Sequence, residues 1–313
     1  MNIVITGGSG FIGTKLSKAL LAKGDTVIVV DIAPPTFTHE KLFFIQCDLT
    51  RTALPYNVLD RTDAVVHLAG APIIAKWTEK YKKQINDSRI ESTRRVVESI
   101  KSAESRPTVF VCASAIGFYG DTHEKLADEQ AEKGEGFLSD VVAYWEAEAR
   151  EALSIGTRVV CVRTAPVIGP GKRIAMFMKT AKFGFLLKIA RKDFWMSWIH
   201  EDDIVNVYLF ALETNTLQGV VNAAAPEPVL QSTFFKTLGK IIHRKVFGTV
   251  PRWIMRRLYG ELYDELSKSQ QIYPKRLMDK GFVFAYPTLE SALTAATKTS
   301  VKIKKEKKDE TTR

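Results

Sequence analysis

The chain opens on Ile3-Val4-Ile5 and then alternates short, almost wholly apolar runs with longer stretches whose apolar residues recur every three or four positions. The short runs Ile3–Ile5, Thr26–Val30, Leu42–Ile45, Ala64–Leu68, Val109–Cys112 and Val159–Val162 predict strands. Runs that are apolar throughout, rather than at alternate positions, suit strands covered by helices on both faces, and therefore a parallel sheet. Between the first two runs, Ile12, Leu16, Ala19 and Leu20 mark one face of a helix that Gly24 ends. Beyond residue 170 the pattern becomes more helical, over Asp202–Leu212, Thr233–Ile242, Trp253–Ser267 and Leu289–Ala296, with short strands near Val220–Ala223 and Phe282–Phe284. The expected fold is α/β: a Rossmann-type doubly wound parallel sheet with a smaller mixed C-terminal lobe. The expected units are residues 1–212, residues 248–296 and a disordered basic tail over 298–313.

At 313 residues and 45% hydrophobic content the chain can bury a large core. A formal charge of +10 raises nucleic acid as a partner, but Lys298 to Arg313 alone hold seven Lys/Arg against three Asp/Glu. Much of the charge is thus a solvated tail, and no nucleic-acid partner is expected. No apolar stretch reaches the roughly 18 to 20 residues that cross a bilayer. Met1-Asn2 lead into the first strand without a secretory leader pattern, so a cytoplasmic protein with no membrane partner is expected. Cys47, Cys112 and Cys161 stand far apart beside apolar runs and the five histidines show no helical pairing, which predicts buried thiols and no metal.

Chemistry enters at Thr6-Gly7-Gly8-Ser9-Gly10-Phe11-Ile12-Gly13, directly after the first strand and opening the first helix. Missing side chains let the backbone turn tightly and approach a pyrophosphate, while the helix N-terminus presents free N–H groups and a positive dipole end. The alternative is a glycine turn for packing alone. Asp31 ends the second strand, eighteen residues after Gly13, where a carboxylate can accept bonds from ribose hydroxyls and repel a 2′-phosphate. NAD is therefore expected over NADP, unless Asp31 merely caps the turn before Pro34-Pro35.

Further motifs are Cys47-Asp48-Leu49, His67-Leu68-Ala69-Gly70-Ala71-Pro72, Trp77-Thr78, Asp87-Ser88-Arg89-Ile90, the stretch Ala113 to Asp121, Trp145-Glu146 and Trp195 to His200. With the glycine loop they resemble the extended short-chain dehydrogenase/reductase superfamily, in its NAD-dependent epimerase/dehydratase-like branch with a C-terminal domain of unknown function. The resemblance runs from Met1 to about Ala296, with Pro274 to Leu277 and Gly281-Phe282 carrying it in the C-terminal part. It implies that Asp48 and Leu49 contact the adenine, that Leu68, Ala69, Gly70 and Ala71 line the pyrophosphate and ribose, and that the stretch Arg163-Thr164-Ala165-Pro166-Val167 runs past the nicotinamide.

The sequence departs from the wider family where protons are handled. Ala115 stands at the family's Ser or Thr place, with Ser114 one residue early, and the Tyr-x-x-x-Lys pair falls on Val142 and Glu146. Tyr144 is about 200° round the helix from the tyrosine place. Candidate replacements are Tyr119, after the fifth strand, with a packing tyrosine the alternative, Glu146, on a helix expected to face the cofactor, and His200, which alternatively caps the helix near Asp202. Trp77, Trp195, Ser197 and Trp198 are a candidate substrate wall, with core packing the alternative, and Phe183 to Asp193 lacks the branch's glycine pairs. Two functions stay open: an NAD-binding oxidoreductase of unknown small-molecule substrate with divergent acid–base groups, or a non-catalytic dinucleotide sensor. The oligomeric state is not legible.

Overall fold

The computed structural model describes residues 1–169, 185–188 and 193–298. Strands β1 (Asn2–Thr6), β2 (Thr26–Asp31), β3 (Leu42–Gln46), β4 (Ala64–His67), β5 (Val109–Ala115), β6 (Arg158–Thr164) and β7 (Gly219–Ala223) form one sheet in the order β7-β6-β5-β4-β1-β2-β3. Every neighbouring pair is parallel. The strand order reverses between β1 and β4, which opens a crevice at their carboxyl ends.

The principal helices are α1 (Phe11–Ala22), α2 (Glu79–Asp87), α3 (Ile90–Ser102), α4 (Phe137–Arg150), α5 (Glu201–Glu213), α6 (Gln231–Ile241) and α7 (Arg252–Tyr259). Side chains alternate across a strand, so the two faces of β1 serve different cores. Ile3 and Ile5 pack with Leu16 and Leu20 of α1 and with Ile204, Val207 and Tyr208 of α5. Val4 turns the other way, to Val96, Val97 and Ile100 of α3 and Trp145 and Ala149 of α4. This two-sided cover is why the strands read as unbroken apolar runs. Two smaller cores lie outside the sheet: one joins Trp198, Phe234, Phe235 and Leu238 to Leu289 and Leu293, and the other joins Trp77, Ile85 and Val141 to Leu262.

Three sequence expectations need correction. Val220–Ala223 is not a strand of the smaller lobe but most of β7, the last strand of the main sheet, so the sheet extends past residue 212. Phe282–Phe284 form no strand; their rings meet edge to face at 4.8 Å, and Phe282 packs on Phe210 at 5.4 Å, so their apolar character serves the core from a loop. The helix expected over Trp253–Ser267 breaks at Gly260, whose φ of 62° lies where glycine is favoured, and resumes as Leu262–Leu266. The outer edge of β7 is engaged by side chains: Arg276 donates to Val220 O and Gln218 O, both at 2.6 Å, and Glu129 accepts from Asn222 N at 2.8 Å.

Among the described residues no helix is long and apolar enough to cross a membrane. The tail beyond Lys298, and most of Phe183 to Asp193, lie outside the described residues.

Candidate functional site

The carboxyl ends of β1, β2, β4, β5 and β6 meet at the crevice. Gly7 turns the chain out of β1 with φ 70°, and a Cβ there would stand 2.7 Å from Ala69 N, so the loop after β4 lies directly on it. A Cβ at Gly13 would fall 2.5 Å from Gly7 O, which is why α1 can start this close to the turn. Gly8 packs on Val29. Gly10 differs: a Cβ there meets only Gly7 O, at 3.1 Å, and Gly10 is exposed. It is also the N-cap of α1 and supplies no side-chain cap. The first-turn N–H groups of Phe11, Ile12 and Gly13 are therefore open to an anion, with the positive helix end behind them.

Asp31 closes one side of this loop, accepting from Ser9 N at 3.0 Å and from Ile32 N at 2.7 Å. Asp48 is tied into its own turn by Thr50, which donates N–H and Oγ1 to it, and those bonds hold its carboxyl below the usual range. Leu49 buries its side chain in the core and gives its carbonyl to Arg95. On the other side, Leu68 N continues the β4 ladder to Thr6 O, Gly70 is exposed, and Ser88 and Arg89 grip Ala71 by its N–H and carbonyl. Ala165 is buried and donates to Ala223 O, Pro166 is exposed, and Val167 is half-buried. His67 sits beneath, between Thr6 Oγ1 at 2.6 Å and Ser92 Oγ at 3.3 Å; burial pushes its pKa down to about 3, so it is a neutral bridge.

The candidate acid–base groups are engaged elsewhere. Glu146, 1% exposed, accepts from Arg163 Nε and NH2, both at 2.7 Å, and from Ser114 Oγ at 2.6 Å. Arg163 also donates to the Tyr119 hydroxyl at 2.9 Å and lies over the Phe118 ring at 3.4 Å, while Tyr119 donates to Asn222 Oδ1 at 2.7 Å. Burial pushes Tyr119 up to about 12 despite Arg163, so it stays protonated at neutral pH. Contrary to the expectation that Glu146 faces the cofactor, it and Tyr119 form one buried network across α4, β5, β6 and β7. His200 is the N-cap of α5, accepting from Asp202 N at 3.2 Å, with its ring 3.8 Å from that of Tyr286. Burial brings its pKa down to about 4. Val142 is buried, Ala115 half-buried and Tyr144 64% exposed.

The four candidate substrate residues do not converge. Trp77 is buried against Phe137 and donates to Ile73 O; Ser197 bridges Gln270 O and Ile272 N; Trp198 is buried and donates to Glu227 O. Trp195 is half-buried, its indole N–H on Glu124 at 2.8 Å, beside a cavity of about 710 Å³ whose lining includes Glu124, Phe194, Arg252, Asp264 and Ser269. Arg163, expected in the stretch past the nicotinamide, is instead buried on Glu146 and Tyr119, and sequence reasoning missed Asn222 altogether. The available signal for Arg163 was a cation directly after the apolar run Val159–Val162, which demands a partner when it is buried.

Known proteins resemble this chain along most of its length. The model of the NAD dependent epimerase/dehydratase family matches residues 3–224, and that of a domain of unknown function, DUF1731, matches residues 250–296. Epimerase family protein YfhF of Bacillus subtilis is 33% identical over 296 residues, 94% of this chain and 97% of its own length. The chloroplastic SDR39U1 homolog of Arabidopsis thaliana is 33% identical over 302 residues, 94% and 86% respectively. Human epimerase family protein SDR39U1, whose crystal structure holds NADPH, superposes with a TM-score of 0.84 at 28% identity, over 95% of this chain and 99% of that one. MoeE5 with UDP-glucuronic acid and NAD superposes at 0.79 over 96% and 99%, but its 18% identity is a likeness of fold alone. The family match runs from the phosphate loop to the last strand of the sheet, and this chain belongs to the NAD-dependent epimerase/dehydratase family.

Proposed function

We propose that the protein is an epimerase-like oxidoreductase that holds NAD at the crevice and acts on a small molecule without the acid–base groups usual in its superfamily. The observation that carries this is the uncapped start of α1 at exposed Gly10, flanked by Asp31 on one side and the Leu68–Ala71 loop on the other. Gly7 to Gly13 would hold the pyrophosphate, Asp31 a ribose, the backbone at Asp48-Leu49 the adenine edge, and Ala165 to Val167 the nicotinamide side. NAD when bound supplies a hydride acceptor. The human relative carries NADPH, but here the Asp31 carboxylate would stand against a 2′-phosphate.

For the chain's own residues, the Glu146–Arg163 pair fixes Ser114 and Tyr119 rather than exchanging a proton with substrate, and His200 holds the start of α5. The engagement of all three candidate groups also favours a second reading, a dinucleotide-binding regulatory protein with no turnover. Calorimetric titration tests the cofactor assignment: NADH binds more tightly than NADPH, and Asp31→Ser narrows the gap. A wild-type preference for NADPH overturns it. Adding pooled metabolites to the NAD-loaded protein separates the two readings, since growth of the reduced-nicotinamide absorbance requires turnover.

A further inference from the structure

The tail over 298–313 accounts for only part of the chain's positive charge. Residues 228–260 hold seven Lys/Arg and no Asp/Glu, and neither the crevice nor the buried network uses any of the seven. The strand Lys245–Thr249 lies within them. Its parallel partner, Phe185–Lys188, stands in a stretch of sequence, 170–192, with seven more Lys/Arg and again no Asp/Glu. A run of cations this long without an acid is the electrostatic footprint of an anionic partner.

Aromatic rings stand exposed among these cations. Phe247 and Trp253, 72% and 70% exposed, are the most exposed aromatic side chains among the described residues. In the strand, Val246 turns inward to the core around Leu238, so its exposed neighbours Lys245 and Phe247 face outward together. In α7, Met255 is buried and Ile254 and Tyr259 are half-buried, while Arg256, Trp253 and Arg257 share about 100° of the outer arc. Arg252 and Arg256 divide one carboxylate, that of Asp264, at 3.2 and 2.5 Å, and Lys245 and Arg257 make no ion pair among the described residues. The face keeps a net positive charge. Cations interleaved with open rings suit a single strand of nucleic acid, whose phosphates follow the cations while its bases stack on the rings. A bilayer suits this face less well. An interfacial helix presents a continuous apolar side, whereas the eight-residue α7 carries arginines on both sides of its tryptophan, and Leu258, 57% exposed, lies about 140° round from it.

We propose that the outer face of Lys245–Thr249 and α7 binds single-stranded nucleic acid, with bases stacked on Phe247 and Trp253 and phosphates held by Lys245, Arg256 and Arg257. The inference is independent of the cofactor reading of the crevice.

The test is anisotropy titration of a fluorescein-labelled thymidine oligomer with the full chain at several salt concentrations, with tryptophan emission followed in parallel. Trp77, Trp145 and Trp198 are buried and Trp195 is half-buried, so quenching reports stacking on Trp253. Wild type binds the single strand more tightly than the same oligomer in a duplex, and its emission is quenched. Trp253→Ala weakens binding about 5- to 150-fold, the range for one stacked base, and Trp253→Phe retains most of the affinity. Arg257→Gln lowers the slope of log affinity against log salt by about 0.7, the share of one phosphate in a single strand. All three variants melt with wild type, since both side chains are exposed. Binding that Trp253→Ala and Arg257→Gln leave unchanged overturns the proposal and assigns the affinity to the cations of 298–313. So does a wild type that binds no oligomer at low salt. A blue shift of tryptophan emission on vesicles of equal parts phosphatidylcholine and phosphatidylglycerol, with no oligomer bound, overturns it in favour of a bilayer.

Discussion

Glu146→Ala separates a structural glutamate from a catalytic one. The substitution removes the acceptor of two Arg163 hydrogen bonds and one from Ser114, and leaves a 3%-exposed guanidinium with Tyr119 as its remaining hydrogen-bond partner. Breaking a buried ion pair on one side costs about 3–5 kcal/mol, because the other charge stays buried without compensation. With an unfolding entropy of about 2.1 cal/mol/K per residue, this lowers the melting temperature of a chain this long by roughly 5–8 °C. Adding Arg163→Met removes the stranded charge, so the double variant melts closer to wild type than Glu146→Ala does. The assay is thermal melting of wild type, both single variants and the double variant, with chemical denaturation as a check on two-state behaviour. A Glu146→Ala protein that melts within about 1 °C of wild type while losing turnover would refute the reasoning, because that is the behaviour of a carboxylate in the crevice rather than one supporting it.

Gly10→Glu folds, because a Cβ there meets only one atom and φ is −72°, but it places a carboxylate at the open start of α1; NADH fluorescence titration shows binding abolished. His67 and His200 are neutral in the fold, with pKa values near 3 and 4, whereas an unfolded histidine titrates near 6.5. The unfolded state therefore binds their protons first: the contribution of each is complete above pH 6.5 and declines as pH falls toward 4, by up to about 1.4 kcal/mol per pH unit each, and His200→Asn flattens the slope of melting temperature against pH. Incubation with NAD and a panel of UDP- and GDP-sugars gives no epimerised or oxidised product by chromatography at ordinary enzyme rates, since Ala115 has no hydroxyl and Val142 carries no proton.

The sheet was legible because burial on both faces leaves a direct trace: Ile3, Val4 and Ile5 must all be apolar when successive side chains enter different cores. The glycine loop was legible because its glycines stand at fixed short spacings directly after a strand, although the approaches they allow come from afar as well as from nearby: Ala69 on Gly7, Val29 on Gly8 and Gly7 O on Gly13. Arg163, Glu146, Tyr119 and Asn222 were opaque as a group because their meeting depends on the register of β5 on β6 and β6 on β7, which no local spacing encodes. Phe282 and Phe284 show the opposite failure. Alternate aromatic residues satisfied a strand pattern locally, while the backbone around them belongs to a loop. Trp77 and Trp198 were ambiguous because aromatic size suits a substrate wall and a core equally; only their burial and the partners of their indole N–H groups decide their place.

The hydrogen bonds on the outer side of β7 bear on how these molecules meet one another. An edge strand with free amides and carbonyls is a template for a strand from another chain. Arg276 and Glu129 occupy that template at Gln218, Val220 and Asn222, so the sheet resists extension there in crowded solution. At the opposite edge, β3 presents Phe43 and Phe44 to solvent, 53% and 36% exposed, and no side chain among the described residues bonds its backbone. Self-association by strand addition, during refolding or storage at high concentration, is therefore directed to Leu42–Gln46, where a lysine on the outward face would act as a gatekeeper.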